Sequence, residues 1–305
     1  MHKTTFTMSQ SINKIIITGA DGQLGMEFRH LETQFGQWEF YFADRTILDI
    51  TNQESIRNVF DVIKPDVVIN CAAYTNVELA ESESDNAYNV NARGPENLAL
   101  QCKAHGTLLI HFSTDYVFDG TKSSPYMESD ATNPLNIYGK SKLSGEQKIQ
   151  SIHLEYLIFR ISWLYGTFGK NFYKTMVRLA NENKEIKVVD NQTASPTYSR
   201  ILAFDVLTFV ERMESGRIKP EYGIFNYTNG GGASWHSFAT EILRHFDIIP
   251  IAVPASQFPT KAIRPTHSKL DTTKWVRSTR IPIIDWKIAL QQCIASDRQS
   301  HSGEQ

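Results

Sequence analysis

The chain has no apolar run near the ~20 residues that a bilayer-spanning helix needs, so no membrane-spanning helix is expected. It also lacks an excess of either charge. The 31 Lys and Arg residues nearly balance the 33 Asp and Glu residues, for a formal net charge of -2. That balance argues against a broad nucleic-acid footprint and a basic membrane-binding face. Cysteine is scarce: Cys71, Cys102 and Cys293 are odd in number and match no metal-ligand spacing. They are read as free thiols in a reducing compartment. The opening "MHKTTFTMSQSIN" lacks the apolar middle section of a signal peptide. The expectation is a cytoplasmic protein whose residues 1–13 form a disordered leader. Internal repeats and low-complexity segments are absent too.

What is present reads as an α/β protein. Hydrophobic residues make up 41% of the 305 and charged residues 21%, an ordinary globular composition that supports a sizeable core. Apolar, β-branched runs at 14–19, 39–44, 66–73, 107–114 and 155–166 read as strands. Helical patterns at 24–35, 52–63, 79–104 and 137–150 lie between them. Strands alternating with helices predict a Rossmann-type, doubly wound parallel sheet. Residues 14–168 are expected to form this dinucleotide-binding domain, with later segments able to return to it. Residues 169–295 are expected to form mainly a smaller mixed α/β substrate lobe. In that lobe 171–183 reads as an amphipathic helix, 186–198 as a strand and loop, and 234–246 as a helix capped by Ser234. A Pro-rich stretch at 249–265 precedes a helix near 285–295, and 296–305 is expected to be a disordered tail.

The first strand runs into "TGADGQLG", with glycines at Gly19, Gly22 and Gly25. Gly19 suits a tight strand-to-helix turn, Gly22 a close approach of backbone to pyrophosphate, and Gly25 close helix–strand packing. The helix N-terminus beyond offers free N–H groups and a positive dipole end. Asp44 closes the second strand 19 residues after Gly25, where an acidic side chain can bind the adenine ribose hydroxyls. Arg45 beside it could instead meet a 2′-phosphate, so NADH and NADPH both remain open.

In "NIYGKSK", Lys142 follows Tyr138 by four residues and Lys140 follows it by two. At ~100° per residue, Lys142 shares the helix face of Tyr138, and Lys140 points elsewhere. A cation near the phenol would lower its pKa and make Tyr138 a usable general acid/base. Alone, a tyrosine and lysine at this spacing are common by chance. "STDYVFDG" supplies a second half at the carboxyl end of the fourth strand, where ligands bind in such sheets. Thr114 could hydrogen-bond a carbonyl oxygen together with Tyr138, and Asp115 and Tyr116 could hold a polyhydroxy substrate.

Together "TGADGQLG", "PDVVINCAAYTNVELAES", "HFSTDYVFDG", "PLNIYGKSKLSGE", "LIFRISWLYG", "NFYKTMVRLA" and "IRPTHSKLDTTK" closely resemble the dTDP-4-dehydrorhamnose reductases, among the extended short-chain dehydrogenases/reductases. The resemblance spans about residues 14–292. It implies reduction of the C4 ketone of dTDP-4-dehydro-β-L-rhamnose by NADPH or NADH. It gives Tyr138 the role of proton donor, with Lys142 tuning it and Thr114 holding the oxygen. It also places Thr114 and Asp115 on the sugar, with Trp163 packed against it. Gln23 and Leu24 fall in the phosphate turn, Asp49 and Ile50 beside the adenine, and Ala72, Ala73 and Tyr74 along the cofactor.

Some family members dimerise through a magnesium site of three glutamates per subunit. Glu27 matches the first, but Arg200 stands at the second position. No such metal is therefore expected, Glu27 reads as a solvated carboxylate in the first helical turn, and the chain should be a monomer or weak homodimer. Three other readings are open: a dehydratase or epimerase of the same superfamily, a reductase of another sugar nucleotide, and an NADP-binding regulatory subunit like the β subunit of methionine adenosyltransferase. Dehydratases carry Asp-Glu after the active-site threonine, whereas this chain has Asp115-Tyr116. Trp235 and Arg264 are candidate substrate-lobe residues, Arg264 for a diphosphate.

Overall fold

The structure is a computed structural model that describes residues 11–182, 185–254, 256 and 260–302. Its centre is a six-stranded sheet of β1 (Lys14–Thr18), β2 (Glu39–Ala43), β3 (Val67–Asn70), β4 (Leu108–Thr114), β5 (Tyr156–Ile161) and a sixth strand, Gly223–Asn226. Spatially the order is sixth–β5–β4–β3–β1–β2, every neighbouring pair parallel. The strands read as near-continuous apolar runs because both faces are covered by helices. Alternation along β1 shows this. Ile15 and Ile17 pack with Leu24 and Phe28 of helix Gln23–Leu31 and with Leu202, Val206 and Phe209 of helix Ser199–Glu214. Ile16 packs on the other face with Ile56, Phe60, Leu98 and Ile149, from three further helices. Burial of such a side chain contributes about 1.5–3 kcal/mol each. The chain leaves β1 for β2 on one side and returns to β3 on the other, so a crevice opens at the carboxyl ends of β1 and β3.

The smaller lobe has its own core of Tyr165, Tyr173, Tyr198, Phe238 and Trp286. It is built by helices Phe172–Asn181, Trp235–Leu243 and Trp286–Ser302. Ser234 caps the second of these in a capping box with Ser237. No described helix is long and apolar enough to cross a membrane. The three cysteines are free.

Several expectations change. The helix expected over 79–104 is broken into Val77–Ala80, Ser84–Tyr88, a π-turn at Asn89–Arg93 and Gly94–His105. Pro95 has no N–H for the Asn91 carbonyl, so the turn widens there. The Asn91 side chain meanwhile bonds both backbone groups of Tyr74. The strand expected to reach residue 166 stops at Ile161, and Leu164–Tyr165 pairs with Thr197–Tyr198 in the other lobe. Helix Ser199–Glu214 and strand Gly223–Asn226 return to the dinucleotide sheet. The last helix runs to Ser302, past the expected limit of 295. Asp297 anchors it by accepting from the Tyr173 hydroxyl at 2.9 Å and from Lys174 Nζ at 3.1 Å. At the other end Ile12 is already core, and its N–H donates to Glu214 at 2.6 Å, so the ordered chain begins before Lys14. The rest of the expected leader (1–10) and tail (303–305) lies outside the described residues.

Candidate active site

A cavity of about 1010 Å³ opens at the carboxyl ends of β1, β3, β4 and β5 and is closed by the smaller lobe. That is the upper end of the roughly 300–1,000 Å³ of ligand and cofactor pockets. The glycine turn forms one wall, where Gly22, Gln23 and Leu24 line the cavity. Gly19 has φ +61°, and a Cβ there would lie 2.7 Å from the Ala72 nitrogen. A Cβ on Gly25 would lie 2.5 Å from the Gly19 carbonyl oxygen. These two glycines therefore shape the turn from behind and do not line the cavity. The helix begins at Gln23, so its first-turn N–H groups have no carbonyl one turn back. The Gln23 Nε2 is buried without a hydrogen-bond partner. Unspent donors at a positive helix end fit a pyrophosphate. Gly25→Ala is expected to weaken NADPH binding at least tenfold by fluorescence titration with circular dichroism unchanged. Wild-type affinity would contradict this account of the turn.

Other residues assigned to the cofactor are not in the cavity wall. Asp44 Oδ1 accepts from the Thr46 and Ile47 N–H groups at 2.8 and 3.0 Å and from the Thr46 hydroxyl, closing its own turn. Those bonds, that of the Thr46 hydroxyl first, hold its carboxyl below the usual range. Arg45 is exposed and pairs with Asp49 at 3.3 Å, and Asp49 also caps Thr51. Ile50 is core, packed against Gly94. Tyr74 sends its hydroxyl to Glu83. Ala72 and Ala73 do line the cavity, after β3.

The reaction end is built where β4 meets helix Ile137–Ile152. Asn136 caps that helix by accepting from the Gly139 N–H at 2.8 Å, which places Tyr138 in its first turn. Tyr138, Lys142, Thr114, Asp115 and Trp163 all line the cavity, and Lys140 is exposed. Lys142 is 2% exposed, and its Nζ donates to the Phe112 carbonyl at 2.5 Å. Thr114 Oγ1 accepts from the Tyr116 N–H and donates to Asp115 at 3.1 Å. Ser268 donates to the other Asp115 oxygen at 2.5 Å.

Burial dominates the electrostatics. It pushes Tyr138 up to about 12, with the Thr114 hydroxyl pulling down and Asp115 pushing further up. It pushes Asp115 up to about 7 against its hydrogen bonds to Ser268 and Thr114. Lys142 is brought down to about 8, with Glu146 opposing. This corrects the expectation that Lys142 lowers the phenol: the amine is held by the Phe112 carbonyl.

Trp163 sits in the left-handed region at φ 45°, a strained setting for a bulky residue. Its indole is stacked on Trp235 at 3.6 Å and 11°. Both line the cavity, with Phe172 4.6 Å from Trp235 and Gln192 accepting from its Nε1. Arg264 also lines the cavity while paired with Glu78 at 2.7 Å. Lys170, Asn171 and Gln192 were not foreseen as wall residues, since nothing in their spacing marks them. Asn70 in the wall, and His111 and Glu146 outside it, were missed as well, although polar residues in apolar strand or helix faces are a legible signal. Glu27 is not solvated. It is fully buried, accepting from Ser199 Oγ and Arg200 Nε, each at 2.8 Å. Arg200 is in the first turn of helix Ser199–Glu214, which packs against helix Gln23–Leu31, and its charge meets that carboxylate.

A family model described as the RmlD substrate binding domain matches residues 13–299. A dTDP-4-dehydrorhamnose reductase of Aggregatibacter actinomycetemcomitans is 40% identical over 286 residues, covering 91% of this chain and 97% of that protein. A crystal structure of the Bacillus anthracis dTDP-4-dehydrorhamnose reductase in complex with NADP superimposes with a TM-score of 0.88 at 36% identity, covering 93% of this chain and 99% of that one. A UDP-glucose 4-epimerase of Thermotoga maritima has a TM-score of 0.80 at 18% identity and shares the fold alone. Matched along nearly its whole length, with the glycine turn, Thr114, Tyr138 and Lys142 around one cavity, the chain belongs to the dTDP-4-dehydrorhamnose reductase family.

Proposed function

We propose that the protein reduces the C4 ketone of dTDP-4-dehydro-β-L-rhamnose with NADPH or NADH, giving dTDP-L-rhamnose. The observation that carries this reading is that one cavity joins a phosphate-binding turn to Thr114, Tyr138 and Lys142. When bound, the nicotinamide cofactor supplies the hydride. The first-turn amides of helix Gln23–Leu31 and the unpartnered Gln23 amide hold its pyrophosphate. Asp44 gives its Oδ1 to its own turn, and the exposed Arg45 beside it, paired with Asp49 at the surface, supports accommodation of a 2′-phosphate. Ala72 and Ala73 line the cofactor side, and the Trp163–Trp235 pair with Arg264 offers an apolar face and a cation to the sugar nucleotide.

Thr114 holds the ketone oxygen by its hydroxyl. Tyr138 gives its phenolic proton to that oxygen as it becomes an alkoxide. A phenol pushed up to about 12 is fully protonated at neutral pH, which is the state a donor needs. Lys142, brought down to about 8, still holds a proton at neutral pH and can return one from Nζ. The reading is tested by NAD(P)H consumption with dTDP-4-dehydrorhamnose beside its UDP counterpart. Faster oxidation with the dTDP sugar is expected. No oxidation above background with either would contradict the reading, and NADP(H) binding without turnover would favour the regulatory alternative.

A further inference from the structure

A hydrogen-bonded line runs behind the cavity from the backbone to His111, whose ring faces Lys142. Asn70 Oδ1 accepts from the Ala72 N–H at 3.2 Å and from Thr18 Oγ1 at 2.7 Å. An amide N–H only donates, so it settles which end of the Asn70 carboxamide is oxygen. The Nδ2 group then faces His111 Nδ1 at 3.0 Å and, being a pure donor, requires a bare nitrogen there. The His111 ring is 1% exposed, and a neutral ring with a bare Nδ1 carries its proton on Nε2. That N–H points at Lys142 Nζ across 3.4 Å, long for a hydrogen bond and the distance of two donors facing each other.

We propose that His111 is a positioning residue that presents an N–H, rather than a lone pair, to Lys142 and so sets the protonation state of its amine. The other groups facing Lys142 leave room for this control. On β4 the Phe112 carbonyl accepts from Nζ in either protonation state. Cys71, following β3, is a neutral thiol because burial pushes it up. Glu146, one turn along the same helix, favours the ammonium form. Its charge is shared with Arg160 of β5 at 2.7 Å and with the Ser113 hydroxyl at 2.5 Å. Tyr138 and Asp115 lie at the cavity side and bear on each other. The direction agrees: burial and the Lys142 charge hold His111 well below its usual value, and burial lowers Lys142. The consequence for turnover rests on the reductase reading: an amine that titrates near neutral pH can pass a proton toward Tyr138, which a permanently charged lysine cannot.

The test reads the ring and the amine directly in the cofactor-free protein. In ¹⁵N-histidine-labelled wild type, His111 is expected to show a bare Nδ1 and a protonated Nε2 across the neutral pH range. An Nδ1–H ring would overturn the proposal, and this measurement needs no variant. In ¹³Cε-lysine-labelled protein, with Lys142→Arg for assignment, Lys142 is expected to titrate near 8. His111→Gln can turn an amide oxygen toward the ammonium, so this titration should rise by about one pH unit or more. An unchanged titration in a folded His111→Gln protein would overturn the proposal and leave His111 a packing residue. Under the reductase reading the alkaline limb of the kcat profile should move up with it. If wild type oxidises no NAD(P)H, that reading fails while both resonance measurements still decide the His111 proposal.

Discussion

Tyr138→Phe should lower kcat by on the order of 10²–10⁴-fold, the usual scale of general acid catalysis, while NADPH affinity stays within a few-fold. The phenol lines the cavity where β4 ends, and Phe keeps the ring that packs edge-on against Tyr116 at 6.0 Å. Only the hydroxyl that gives the proton is removed, so the loss should fall on kcat and not on KM. Lys142→Ala should cost on the order of 10²-fold or more, because it removes the one lysine on the tyrosine's helix face. Lys140→Ala is the control. Two residues from Tyr138 and exposed to solvent, Lys140 should be replaceable with turnover nearly unchanged. Equal losses in the two lysine variants, or a Tyr138→Phe enzyme at wild-type turnover, would remove the assignment.

The second large effect is on stability. Arg160→Met should destabilise the protein by about 3–5 kcal/mol, read by urea denaturation, because it strands a buried carboxylate. Glu146 is fully buried and Arg160 4% exposed by side chain, with Nη2–Oε2 at 2.7 Å and a second bond from Nε. Combining Arg160→Met with Glu146→Leu removes both charges and should recover much of the loss. A single-variant cost under about 1 kcal/mol would mean that the pair behaves like a surface bridge. Ser113, held by Glu146, directly precedes Thr114, so the pair also secures the end of β4 that carries the site.

Most of the sheet was legible because parallel strands covered on both faces are buried along their length and so mostly apolar, as the runs in "KIIIT" and "LLIHFST" are. The glycine turn and the Tyr138–Lys142 face were legible because each rests on local geometry. The return of Gly223–Asn226 to the sheet was not, since four residues at a sheet edge carry little pattern and their place depends on contacts far along the chain. The widened turn at Asn89–Arg93 depends on Pro95 together with a side chain that reaches Tyr74, which periodicity does not register. Glu27 was misread because a carboxylate in a first helical turn is usually solvated, and its burial comes from Ser199 and Arg200, over 170 residues away. Asp44 was read by its position after the second strand, and the bonds its Oδ1 accepts from its own turn depend on the backbone shape there. The site was therefore most legible where function needs a local backbone shape and least where it needs two distant segments to meet.

The central claim is that this cavity delivers hydride to a sugar C4 carbon while Tyr138 protonates the oxygen. Its most direct test is wild-type turnover of dTDP-4-dehydro-β-L-rhamnose with NADPH deuterated at the transferred position of the nicotinamide, followed by NMR of the product sugar. The account predicts deuterium on C4 of dTDP-L-rhamnose, one atom per turnover. NADPH consumed with no deuterium on C4, or a changed sugar with no NADPH consumed, would contradict it.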